Sequence, residues 1–129
     1  EMCIRDRTLA QRIDKVRTNI MNAFEEFLSS DQYNTYLRSG QSMRVYVRKS
    51  NRLIDGKITE CFDVANINVS PTMRGKGIGI GCIMQMHEAS PYPVTVVESI
   101  LNEDLYAALK RRGWEDIPRS DPPSLMLRK

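Results

Sequence analysis

Cysteine and histidine are scarce in this chain of 129 residues: Cys3, Cys61 and Cys82 stand far apart, and His87 is the sole histidine. An odd, widely spaced set of thiols does not make a disulfide framework, and one histidine gives no Cys/His pattern for zinc. Reduced cysteines and no metal are therefore expected. Long apolar runs are absent as well. No stretch reaches the roughly 18 residues that argue a membrane span, and no basic, apolar, small-residue leader opens the chain. Charge of one sign is lacking: 19 Lys and Arg against 16 Asp and Glu leave +3, too mild to point by itself to nucleic acid or a membrane surface. With 41% hydrophobic and 27% charged residues, 7 Gly and 6 Pro, the composition is neither disordered nor collagenous. These absences leave the expectation of one cytoplasmic globular domain with a single core.

Residues 1–7 show no periodicity and read as a doubtful N-terminal extension, leaving residues 8–129 as the domain. The apolar positions Leu9, Ile13, Val16, Ile20, Phe24 and Phe27 then advance by three or four, one stripe of a helix over residues 8–29 with Thr8 as its N-cap. Arg12, Asp14, Lys15, Arg17 and Glu25 fall off that stripe and read as a solvated face. Residues 32–38 read as a short helical or irregular piece. The period next becomes two: Met43, Val45 and Val47 alternate with Arg44, Tyr46 and Arg48. Asp55-Gly56 is a two-residue hairpin signal joining strands over residues 43–54 and 57–69. Pro71 closes the second strand, and residues 78–88 suit a helix that Pro91-Tyr92-Pro93 ends. The β-branched run at residues 94–97 marks a strand buried on both faces and parallel to its neighbour. Asn102 caps a further helix ending before Gly113, and residues 114–117 and 124–128 form a last hairpin. A mixed sheet covered by helices follows, of the α/β or α+β class.

Between the second strand and its helix lies Arg74-Gly75-Lys76-Gly77-Ile78-Gly79-Ile80-Gly81, with four glycines at alternate positions. Glycine permits positive φ, lets backbone N–H groups converge, and here precedes the positive end of a helix; this is a site for an anion, most simply a phosphate. The Walker pattern fails because Gly77, not Ser or Thr, follows Lys76. The dinucleotide pattern fails because Ile80 stands where its third glycine belongs.

The segment resembles the acyl-CoA pyrophosphate loop of the GNAT superfamily, the general N-acetyltransferases: Arg74, Gly77 and Gly79 fill the fixed places of R/Q-x-x-G-x-G/A. Asn102, followed eleven residues later by Gly113-Trp114, is similar to that family's helix after its fifth strand. The resemblance implies a three-layer fold with a curved mixed sheet of five to six strands flanked by helices. It also implies acetyl-CoA as acyl donor, without a metal, and direct attack by a primary amine. The donor's arm would lie where the sheet splays between the strand ending at Val69 and the strand at residues 94–99. Ile67, Asn68 and Val69 would offer backbone N–H groups to the oxyanion; Arg74, Gly75, Lys76, Gly77, Ile78 and Gly79 would hold the pyrophosphate, and Asn102 would join this cofactor-binding set. Direct attack needs no cysteine nucleophile, so Cys82 reads as a packing residue. The expected partners are acetyl-CoA and an unnamed amine, in a monomer or homodimer, with no membrane and no nucleic acid.

Two departures stand out. Leu109 occupies the place of the family's proton-donating tyrosine, and Tyr106, one turn earlier, is the remaining candidate acid. A first strand before the helix is missing, which reads as a lost N-terminus or a short variant. Glu60 and Glu98 are the candidate bases, with Asp63 also at hand. Arg38, Arg44, Arg48, Lys49, Arg52 and Lys57 crowd one stretch and read as a solvated strand face, with an acidic acceptor or nucleic acid as the alternative. Lys110, Arg111 and Arg112 suit a helix C-terminus, and Trp114 suits the core. The competing reading is a non-catalytic GNAT-like domain that binds acyl-CoA or a protein partner.

Overall fold

The computed structural model describes residues 8–129; residues 1–7, with Cys3 and the doubtful extension, lie outside the described residues. Helix α1 (Leu9–Leu28) starts at a capping box, in which Gln11 N–H donates to Thr8 Oγ1 (3.2 Å) and Thr8 N–H to Gln11 Oε1 (2.9 Å). Its stripe buries Val16, Ile20, Phe24 and Phe27. The chain then enters strand β1 (Asn34–Ser39), where sequence reading expects a helical or irregular piece. As an edge strand, β1 buries only Leu37 and Ser39, too few apolar positions to announce a period of two.

Strand β1 pairs antiparallel with β2 (Met43–Ile54), which turns through Asp55 (φ 51°) and Gly56 (φ 78°) into β3 (Lys57–Val69). Positive φ at both turn residues is what a type I′ hairpin requires. Helix α2 (Ile78–Ala89) leads to β4 (Val94–Val97), which pairs parallel to β3 as expected. Helix α3 (Glu103–Arg111), β5 (Glu115–Asp116) and β6 (Leu125–Arg128) complete a six-stranded sheet of order β1-β2-β3-β4-β6-β5.

Strand alternation turns Met43, Val45, Val47, Phe62, Val64 and Val97 toward the helices, where they pack with Phe24, Ile83, Met86 and Leu109. All three helices of the described residues feed this one core. Phe24 meets Phe62 edge-on at 4.8 Å, worth about 1 kcal/mol beyond area burial, and buried Trp114 donates Nε1–H to Met84 Sδ at 3.3 Å. The opposite face carries a smaller cluster of Cys61, Val94, Val96 and Met126 beside polar Arg48, Arg52 and Asp63. No described helix is long and apolar enough to cross a membrane.

Candidate active site

Strands β3 and β4 pair only from Cys61/Val94 to Val64/Val97, and the last bond between them runs from Glu98 N–H to Val64 O (2.9 Å). Two local features part them. On β3, Tyr46 of β2 faces Asn66 while Val47 faces Val64, so Ala65 is an extra residue; such a bulge bends its strand. After β4, Ser99 takes φ 50°, and the next two N–H groups go to the C-terminal loop, Ser99 N–H to Ser124 Oγ (3.0 Å) and Ile100 N–H to Pro123 O (2.7 Å). The resulting gap holds about 200 Å³ between residues 64–67 and residues 97–102.

Ile67, Asn102 and Leu105 also line an adjoining groove of about 490 Å³ under the glycine turn. Gly75 and Gly77 both sit at φ 74°, in the left-handed region that strains residues with a Cβ. Gly77 is the N-cap of α2, and the first helical rung is Gly81 N–H to Gly77 O (3.0 Å). The N–H groups of residues 78–80 are thus left unclaimed by the helix, as at any helix start without a side-chain cap. Arg74 is anchored by its Nε–H to Val69 O (2.8 Å), and Asn102 caps α3 by accepting from Leu105 N–H (3.0 Å). Of the cofactor-binding set, Ile67, Asn68, Val69, Arg74, Gly75, Gly77, Ile78, Gly79 and Asn102 all line this one groove; Lys76, exposed on the turn, does not. Asp104 and Leu105 complete the wall without having been assigned from sequence.

The catalytic candidates are placed very differently. Glu98 lines the gap, and its carboxylate receives the guanidiniums of Arg48 and Arg52. Arg52 Nη2 also lies 3.0 Å from Asp63 Oδ2, whose side chain is 1% exposed. Burial pushes the Asp63 carboxyl above the usual range, against the pull of the Arg52 hydrogen bond and charge. Glu60 is exposed on β3 and lines neither cavity. The Tyr106 hydroxyl donates to Asp116 Oδ1 (2.5 Å), while Lys110 Nζ reaches Asp116 Oδ2 (2.7 Å). That bond holds the phenol above its ordinary pKa and places it on the β5 side of α3, outside both cavities. Leu105 is the α3 residue common to both, and Leu109 is fully buried in the core. Cys82 is buried against Met43 (Sγ to Sδ 3.9 Å), and burial pushes its thiol up to about 11. Among the described residues, no three His, Cys, Asp or Glu side chains gather as a metal would require.

Sheet order, parted parallel strands and glycine turn together define a GNAT-like fold, the mixed α/β architecture that the resemblance implies. No family model matches the chain, and no curated protein matches it. Solved structures do. A Tyr-to-Phe mutant of the AtaT toxin, bound to the C-terminus of the antitoxin AtaR and acetyl-CoA, matches with TM-score 0.55 at 15% identity, over 67% of this chain and 60% of that one. The same mutant bound to the AtaR C-terminus matches with TM-score 0.56 at 15% identity, over 67% of this chain and 58% of that one. A KacTA–DNA complex matches with TM-score 0.55 at 15% identity, over 86% and 77% of the two chains. This chain spans about 60% of the length of the AtaT chains, and at such identity the likeness is one of fold.

Proposed function

We propose that this chain is an acetyl-CoA-dependent N-acetyltransferase that passes an acetyl group to a primary amine by direct attack. The observation that carries this reading is that groove and gap adjoin at Ile67, Asn102 and Leu105: a glycine-rich turn lies beside a cleft between parted parallel strands. The residues fit a pyrophosphate joined to a long, thin arm. Gly75 and Gly77 shape the cradle, the start of α2 supplies unclaimed N–H groups and positive dipole, and Arg74 supplies charge. Asp104 opposes an anion there, and Arg74 with Lys76 on the turn outweighs it. Val64, Ile67, Val97 and Ile100 give the gap apolar walls. The AtaT mutant that shares the fold is itself bound to acetyl-CoA.

Bound acetyl-CoA supplies an activated thioester; the rest falls to the chain. Among the described residues β3 has no partner on its β4 side beyond Val64, so the backbone N–H groups of Ile67 and Val69, which alternate with those turned toward β2, are the donors for charge developing on the carbonyl oxygen. Glu98, fixed by Arg48 and Arg52, presents its carboxylate to the incoming ammonium and takes its proton. A thiol with pKa near 8.5 departs without an obligatory acid, which suits buried Leu109 in the tyrosine's place. The second reading, a non-catalytic acyl-CoA-binding domain, draws on the engagement of Tyr106 with Asp116. Thiol release from acetyl-CoA over polyamines, aminoglycosides, amino acids and peptide N-termini separates the two. The enzyme reading expects release with at least one class and a fall of about a hundredfold in kcat for Glu98→Gln. Binding without release over the whole panel supports the second reading.

A further inference from the structure

More positive charge surrounds the glycine turn than one pyrophosphate requires. Among the basic residues of the Arg38–Lys57 stretch, Arg48 and Arg52 are ion-paired, and Lys49 donates to Ser30 O (2.8 Å) and lies 4.7 Å from the Phe27 ring centre. Arg38 and Arg44 have no carboxylate partner among the described residues. They are direct cross-strand partners, an arrangement that is unfavourable for like charges. What holds them is Tyr36: both guanidiniums lie over its ring, at 5.3 and 5.2 Å, and Tyr46 braces that ring at 4.8 Å. With Arg74 they line a cleft of about 510 Å³ that contains Asn68 and Ser70 and no acid. Asn68, Val69 and Arg74 line both this cleft and the groove under the glycine turn. Two like charges steadied by an aromatic ring, without a counter-ion, are preorganised for an anionic ligand.

The cleft also points at the gap. From Arg44 the same sheet face runs through Tyr46 to Arg48, opposite Asn68, Asn66 and Asp63, and Arg48 holds Glu98. Four residues of strand cover about 13 Å.

We propose that the acceptor is itself an anion, an amine carrying a carboxylate or phosphate group on the order of 10 Å from its nitrogen. The anionic group docks between Arg38 and Arg44 while the amine reaches Glu98. This rests on the acetyltransferase reading. The test compares kcat/KM for three amidated tripeptides that share glycine and alanine and end in glutamine, glutamate or phosphoserine. The wild-type protein prefers one charged peptide over the glutamine peptide by about tenfold or more, and the better of the two charged peptides names the anion. In the R38Q/R44Q double variant that preference falls to within about twofold, while acetyl-CoA binding, melting temperature and the rate on the glutamine peptide stay unchanged. Equal rates on all three, or a preference that survives the double variant, overturns the proposal. If acetyl-CoA binds but no peptide is acetylated, the enzyme reading fails separately. Calorimetric titration with the phosphoserine and glutamate peptides then decides the cleft: binding of either that the double variant loses supports it, and no binding of either overturns it.

Discussion

Glu98 is a candidate base and Tyr106 the candidate acid by residue type, and their surroundings separate them. Arg48 and Arg52 fix Glu98 at the gap, whereas the hydroxyl of Tyr106 is engaged by Asp116, whose own carboxyl is held below its usual range, mainly by the hydrogen bonds from Lys110 and Tyr106. Tyr106→Phe is accordingly expected to keep acetyl transfer within about twofold; a loss beyond tenfold would return the acid role to Tyr106. Asp63 carries structural weight instead. Its removal leaves the partly exposed Arg52 and Arg48 sharing Glu98 alone, so Asp63→Ala should lower the free energy of unfolding by about 2 to 3 kcal/mol in chemical denaturation. At this scale the glycine turn was legible, because positive φ at Gly75 and Gly77 is a property of the residue itself. The direction of Tyr106 was not, since it depends on a partner ten residues away in another element.

Elements with a strong period or an obligatory turn residue were readable to within a residue or two. The β2–β3 hairpin follows from Asp55-Gly56, and α1 from its stripe and its Thr8 cap. Edge strand β1 and the bulge at Ala65 were not readable: one shows too little buried surface, and the other is a register shift that exists only against β2. The bulge is one of the two features that part β3 from β4, so the position of the site could not be taken from composition or periodicity. Helix α2 is tied to β4 by His87 Nδ1 and Thr95 Oγ1 at 2.8 Å. Burial, then the Lys129 charge, hold His87 below its ordinary 6.5, with Glu88 opposing. The unfolded chain therefore binds a proton near 6.5 that the folded chain refuses until lower pH, so stability is lost as pH falls below about 6.5. The melting temperature should drop between about pH 7.5 and 5.5, one unit either side of the ordinary histidine value, and His87→Gln should flatten that part of the drop. An unchanged slope would show that His87 is not the group responsible.

For the molecule as a whole, +3 says little, but its distribution says more. Arg38, Arg44 and Arg74 gather with Lys76 at the end of the sheet where the glycine turn lies, beside a gap floored by Glu98. The fold thus sets the glycine-turn groove, a slot between strands and a carboxylate side by side, and the central claim is that acetyl-CoA occupies groove and slot. Calorimetric titration of the protein with acetyl-CoA tests this most directly, together with two variants. Gly77→Glu places a negative charge in the cradle at a strained φ of 74°, and Gly79→Asp does so at a helical position whose Cβ would only touch Ile67 Cδ1 at 3.5 Å. Melting temperatures establish that both variants are folded. Saturable one-to-one binding by the wild type, lost in Gly77→Glu and weakened about tenfold or more in Gly79→Asp, is the predicted result; no binding by the wild type, or equal binding by folded variants, would contradict it.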